Sequence, residues 1–170
     1  MIYYITKQND TLQRIAAKMY GDWTLWYLIF DANRSLFGSA TLTSRMNWMS
    51  VQSGLMVFIP VPLTQSVNHT IVDGDSYHSL SLYYYGSEHY AKNIKAKNDS
   101  LILGDNIGKK ITIPALLQSS IYSSAQSLIE TGVSSSGVNA QLQVVVSDGN
   151  YQDKYAIFYN EFVDGLIGGY

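Results

Sequence analysis

Apolar and polar positions change period several times along the chain, and each change marks an element. Tyr3-Tyr4-Ile5-Thr6 and His69-Thr70-Ile71-Val72 are short β-prone runs, each followed by a polar turn that ends in Asp; they predict two strands, each leading into a helix. After the first turn, Leu12, Ile15, Ala16 and Met19 fall at helical spacing, so one helix face should point inward. Asp10 and Gln13 have the spacing of a capping box, Asp10 accepting from the third helical amide while Gln13 reaches back. Gly21 and Gly86 stand where these first helices should stop, since glycine takes the left-handed C-terminal conformation without a Cβ penalty. Asp22 and Ser87 then offer side-chain caps for a second helix in each half. Two closing β-prone runs end at Pro60 and Pro114, which can donate no further ladder bond.

The two halves are copies. At a constant offset of 65 residues, Asp10 matches Asp75, Tyr20 matches Tyr85, Gly21 matches Gly86, Ile29 matches Ile94, Asn33 matches Asn98, Ser35 matches Ser100 and Leu36 matches Leu101. Beyond Leu36 the offset falls to 54, because Gly54 to Pro60 aligns with Gly108 to Pro114. Repeat one therefore carries an insertion at about residues 37–53 that repeat two lacks. Each repeat reads as strand, helix, helix, strand, giving an α+β chain with modules at 1–63 and 67–117.

Repeat one holds more large apolar side chains than one amphipathic helix can hide. Residues 16–33 read AAKMYGDWTLWYLIFDAN. Trp26, three residues before Ile29 and seven before Asn33, is expected on the core face. Trp23, Tyr27 and Phe30 form a surplus, with Tyr27 and Phe30 expected to point away from Trp26. Two covers are open to them, the rest of this chain or another protein. The insertion adds Trp48 with Met46 and Met49, on what reads as a loop. Tryptophan and methionine are favoured interface anchors, so this segment is expected to contact a partner.

Beyond repeat two the composition shifts. Residues 118–137 contain eight serines, which predicts a linker or a short helix carrying Ile121-Tyr122, Ala125 and Leu128-Ile129 before Gly132. Val138, Ala140, Leu142, Val144 and Val146 then alternate, as do Tyr155, Ile157 and Tyr159. Residues 138–170 thus read as a β-hairpin arm, and two strands alone are marginal in water. Tyr155, Ile157 and Tyr159 are therefore expected to find a partner surface. The segment 118–170 sets Lys154 against Glu130, Asp148, Asp153, Glu161 and Asp164, an acidic complement to a basic partner.

Composition removes several functions. The chain of 170 residues is 46% hydrophobic and 14% charged with a formal net charge of −2, so it is globular and has no basic field for nucleic acid. Lys92, Lys95 and Lys97 are balanced within their own repeat by Asp73, Asp75, Glu88, Asp99 and Asp105. Gly104-Asp105-Asn106-Ile107-Gly108-Lys109 is one residue short between its glycines for a phosphate loop, and Lys110 replaces the hydroxyl. With no cysteine and no His pair at helical i, i+4 spacing among His69, His78 and His89, neither a disulfide framework nor a zinc site is expected. No nucleophile motif stands among the serines, and Asp10, Asp22 and Asp75 each sit where a helix cap is needed. No catalytic residue, metal or cofactor is therefore assigned. The start MIYYITKQND lacks a basic or apolar leader, and no apolar run is long enough to span a bilayer, so a cytoplasmically made product outside the membrane is expected. On that expectation the Asn-x-Ser/Thr triplets at Asn9, Asn33, Asn68 and Asn98 carry no glycan.

The punctuation of the two units resembles the LysM domain. Tyr4-Ile5-Thr6-Lys7-Gln8-Asn9-Asp10-Thr11-Leu12 and His69-Thr70-Ile71-Val72-Asp73-Gly74-Asp75-Ser76-Tyr77 are similar to that family's opening Tyr-Thr-Val-x-x-Gly-Asp-Thr-Leu. Asn33 and Asn98, with Ile59-Pro60 and Ile113-Pro114, extend the likeness over residues 3–62 and 68–116. The resemblance implies two tandem βααβ modules. It also implies one of two functions: binding N-acetylglucosamine chains between the first strand-to-helix loop and the second helix-to-strand loop, or protein contacts within a contractile tail baseplate. Met19-Tyr20-Gly21-Asp22, then Leu25-Trp26, Ile29 and Asn33, is similar to the pattern of the baseplate kind. Repeat two departs from it with Glu88-His89-Tyr90-Ala91. The resemblance thus points to a virion structural protein in several copies, assembled in a bacterial cytoplasm and contacting hub, tube, sheath-initiating or wedge subunits. The alternative is a peptidoglycan- or chitin-binding LysM protein. A hydrolase with its active part in the C-terminal third is disfavoured, because that segment has one basic residue and no histidine.

Overall fold

The computed structural model describes residues 2–45 and 48–130. The chain is a mixed α+β protein, and among the described residues the strands form three separate two-stranded antiparallel sheets. The described residues divide into two compact units: residues 2–60 with 120–130, and residues 61–119.

The first unit runs β1 (Ile2–Ile5), α1 (Leu12–Tyr20), α2 (Trp26–Ala32), β2 (Leu42–Arg45), β3 (Trp48–Val51) and β4 (Met56–Ile59). β1 pairs with β4 and places Ile2 opposite Ile59 and Tyr4 opposite Val57. Val57 and Ile59 face the helices and are buried, whereas Tyr3, Ile5 and Met56 are exposed, the alternation expected of a half-covered sheet. Leu12, Ile15, Ala16 and Met19 are buried as their spacing requires, and Leu28 and Ile29 of α2 close the core over them.

The second unit repeats the plan with β5 (Val67–Thr70), α3 (Tyr77–Tyr85), α4 (Ala91–Lys97) and β6 (Lys110–Ile113). Its register sets Val67 opposite Ile113 and His69 opposite Ile111, the same pairing as β1 with β4 once the two sequence offsets are applied. The tertiary hydrogen bonds are duplicated too. Tyr20 donates to the Pro60 carbonyl at 2.8 Å and Tyr85 to that of Pro114 at 2.7 Å. Asn33 Nδ2 donates to the Ile29 and Phe58 carbonyls while its Oδ1 accepts from Phe58 N–H; Asn98 does the same with Ile94 and Thr112. One amide side chain thus clasps the second helix to the closing strand in each unit.

The helix ends differ in part from expectation. Gly21 and Gly86 end their helices at φ 75° and 80°, and Asp22 and Ser87 cap the short 3₁₀ turns that follow. Asp10 and Asp75, however, are not the caps of the first helices. Thr11 accepts from Arg14 N–H and Ser76 from Ser79 N–H, because the β-region conformation suited to an N-cap falls one residue later. Gln13 does not reach back to the cap; its Oε1 accepts from Met49 N–H.

Trp26 also departs from expectation, being half-buried rather than in the core. The buried face is set by Leu25 and Leu28 as well as Ile29, and at about 100° per residue its centre lies well away from Trp26, which falls at the margin. The insertion is not a loop throughout: β2 and β3 form a hairpin pairing Leu42 with Val51 and Arg45 with Trp48. The serine-rich segment contains α5 (Ser119–Glu130), whose Gln126 donates to the Met19 carbonyl and whose Tyr122 ring lies 6.5 Å from that of Tyr20. The arm expected at 138–170 lies outside the described residues.

Candidate functional site

Each unit ties its opening strand to its first helix through an aspartate, buried in the first and partly exposed in the second, and the two ties are chemically different. In the first unit Asp10 Oδ2 accepts from Tyr4 OH at 2.7 Å and Lys7 N–H at 2.8 Å, and Oδ1 from Lys18 Nζ at 3.1 Å. Lys18 Nζ also donates to Tyr4 OH. Burial pulls the Lys18 pKa down against the opposing pull of Asp10, and burial, with the Asp10 charge, holds the Tyr4 hydroxyl far above its ordinary value. In the second unit His69 takes the place of Tyr4: its Nε2 lies 2.7 Å from Asp75 Oδ2 and its Nδ1 2.9 Å from Tyr84 OH. Burial works against ionisation of Asp75, but hydrogen bonds from His69 and Val72 N–H outweigh it and leave the carboxyl below its usual range. Both nitrogens of His69 are engaged by its own strand-to-helix corner, so the group braces β5 to α3. The first of these ties was not legible as such, because Lys18 reads as an ordinary exposed lysine on a helix.

Beside the second tie lies a groove of about 980 Å³. One wall is the corner Asp75–His78, the other the loop Ser100–Gly104, and the floor is α4 with Ala91, Lys92 and Lys95. Asp99 and Ser100 adopt positive φ of 53° and 58°. Two consecutive non-glycine residues in the left-handed region cost free energy, and such residues concentrate at functional sites.

The corresponding place in repeat one is filled. By the 65-residue offset, Glu88, Ala91, Lys92, Lys95 and Ile102 correspond to Trp23, Trp26, Tyr27, Phe30 and Phe37. Trp26 stacks on Tyr27 with ring centroids 3.9 Å apart and meets Phe30 edge-on at 6.1 Å. Tyr27 and Phe30 therefore do not point away from Trp26; the three share one aromatic ledge, extended by Phe37 stacked on Phe30. Over the corner lies β3. Val51 N–H donates to the Asp10 carbonyl, Thr11 and Ser50 form an antiparallel bridge, and Met49 N–H reaches Gln13. Trp48 rests on Trp23 at 5.8 Å. Trp23, Tyr27, Phe30, Trp48 and Met49 are all half-buried, so each keeps some surface exposed. Met46, Tyr155, Ile157 and Tyr159 lie outside the described residues. Sequence reasoning did not find the groove of repeat two; the signal available was the exchange of aromatics for Lys92, Lys95 and Ala91 at matched positions.

Among the described residues no group of three His, Asp or Glu side chains is placed to hold a metal ion, and no helix is long and apolar enough to cross a membrane. No family model, no curated protein and no solved structure matches this chain.

Proposed function

We propose that the chain is a structural protein of a contractile phage tail baseplate or a related injection machine, built on two tandem LysM-like modules and acting through protein contacts. The observation that carries this reading is the state of repeat one. Where the family's sugar groove would lie, it has an aromatic ledge and its own hairpin, with β3 bonded to the Asp10–Gln13 corner. A sugar chain has no room against that corner, whereas an aromatic surface rimmed by polar residues is the usual composition of a protein-binding patch. The Tyr20-Gly21-Asp22 step with Leu25 and Trp26 adds the resemblance to the baseplate kind. Partners are then other baseplate subunits of the hub, tube, sheath-initiating or wedge type, met in several copies per particle within the virion. We assign no catalytic role, cofactor, nucleic acid or membrane.

The test is fractionation of tail particles made with Trp26→Ser and Phe30→Ser together, followed by detection of this chain in them. Both side chains are half-buried, so the variant should fold and yet fail to enter particles. Normal incorporation would refute the assignment of the ledge. A second reading, binding of N-acetylglucosamine polymers, is favoured by the open groove of the second unit, which lies where the family binds sugar. Titration with N-acetylglucosamine tetramer, followed by amide shifts at Asp75–His78, tests it; saturable shifts at micromolar sugar would establish it over the baseplate reading as the role of this unit.

A further inference from the structure

We propose that the open groove of repeat two receives one extended strand of a partner protein, seated where β3 lies in repeat one. This rests on the reading of the chain as an interaction module and supplies the form of the partner. Repeat one shows what the βα corner of this fold can bind. Its Asp10 carbonyl accepts from Val51 N–H, Thr11 bridges Ser50, and Gln13 Oε1 takes Met49 N–H at 3.1 Å. The contacts to Asp10 and Thr11 are made by main chain on both sides, so they do not depend on the aromatic side chains below.

The corner Asp75-Ser76-Tyr77-His78 has the same course: Ser76 caps α3 as Thr11 caps α1, and Gly108 N–H donates to the Ile71 carbonyl as Gly54 N–H does to that of Thr6. Repeat two lacks the insertion, and its corner faces the groove. The main chain of such a corner, as repeat one shows at Asp10 and Thr11, can bond an extended segment laid on it, with main-chain bonds supplying affinity and groove side chains supplying selection. The left-handed pair Asp99–Ser100, of which Ser100 lines the opposite wall, stands where repeat one has the 3₁₀ turn Arg34–Leu36.

The probe is a synthetic peptide, Asn-Trp-Met-Ser-Val-Gln-Ser, the sequence of residues 47–53, added to the full chain while amide resonances are followed. Repeat one already holds this strand, so shifts are expected at Asp75–His78 and Ser100–Gly104 and not at Asp10–Gln13. N-methylation at the valine nitrogen should abolish them, since that N–H is the donor to the corner carbonyl. His78→Gln restores the acceptor that Gln13 provides and should tighten binding roughly two- to tenfold, the effect of one added hydrogen bond. Unmoved amides at the corner, equal binding of the methylated peptide, or shifts with N-acetylglucosamine tetramer in place of the peptide would each overturn the proposal. Self-association of the full chain that protects the same amides would also overturn it, by giving the groove to a second copy. Failure of the peptide leaves the baseplate reading standing as long as the Trp26 and Phe30 double variant is lost from particles.

Discussion

Replacing Asp10 by Asn should unfold the first unit far more readily than Asp75→Asn unfolds the second, although the two residues occupy the same place in the repeat. Lys18 is only 4% exposed, and Asp10 is its one carboxylate partner. Asparagine can still accept from Lys7 N–H, but it leaves an ammonium buried with only Tyr4 OH beside it. Removing one partner of a buried ion pair costs about 3–5 kcal/mol, because the remaining charge keeps its desolvation penalty. At Asp75 the partner is an imidazole that need not be charged, and both groups retain some exposure at 17% and 13%, so the loss is about that of one hydrogen bond, ~1 kcal/mol.

The two transitions can be followed separately. Trp23, Trp26 and Trp48 all lie in the first unit, so tryptophan fluorescence in denaturant reports that unit, and amide resonances report the other. Lys18→Met added to Asp10→Asn removes the orphan charge and should recover most of the loss. The pH dependence has a fixed sign. Burial lowers the Lys18 pKa in the folded state, so the folded state binds fewer protons than the unfolded one below the ordinary lysine value, and stability rises with pH through that window. The deficit of Asp10→Asn should therefore shrink from pH 7 toward about pH 10, where unfolded tyrosine begins to ionise while folded Tyr4 does not. A deficit below ~1 kcal/mol, well under the range for a broken buried pair, or no recovery with Lys18→Met, would refute the assignment of Lys18 as a buried, dependent charge.

Two further outcomes follow from the same geometry. Gly86→Ala should cost about 1 kcal/mol from its left-handed backbone alone, since nothing lies within 4 Å of an added Cβ. Gly21→Ala should cost clearly more, because there the Cβ would meet Ile121 Cγ2 at 2.8 Å; equal shifts in melting temperature would show that α5 does not press on α1. In the second unit the Asp75 carboxyl titrates below its ordinary value, so its contribution to stability is present above about pH 4 and lost as pH falls through the lowered folded value. Amide-detected unfolding of that unit between pH 5 and pH 2 should be less steep in Asp75→Asn, and an unchanged slope would remove the carboxyl from the balance.

The duplication was readable because it is written in residues whose chemistry is not replaceable locally. Asn33 and Asn98 each make three bonds to helix and strand that only a primary amide can make, and Gly21 and Gly86 hold a backbone region open mainly to glycine. The caps were misplaced by one residue for a specific reason. Aspartate before threonine or serine satisfies cap chemistry at either position, and what decides between them is a long-range demand, the pull of Tyr4 and Lys18 in one unit and of His69 in the other. Trp26 was misplaced because the wheel was anchored on Ile29 and Asn33, whereas Leu25 and Leu28 also turn inward and shift the centre of the buried face away from it. Short-range pattern cannot show the first effect, since it depends on what arrives from another element.

The two repeats differ most at the positions that line the groove of the second. Repeat one has rings at these positions and a hairpin whose strand lies on the corner, leaving a partly exposed aromatic face. Repeat two kept the concavity, lined it with Lys92, Lys95 and Ala91, and reshaped the facing loop at Asp99–Ser100. A partly exposed aromatic face and a concave groove of mixed polarity suit different objects: the first a broad protein surface, the second a single extended chain that can satisfy a line of main-chain groups. If both halves served only to hold the fold together, repeat one would have gained nothing by leaving Trp26, Tyr27 and Phe30 half-exposed at its rim. If the chain is the interaction module proposed above, its two repeats would meet unlike partners, one on the aromatic ledge and one in the groove.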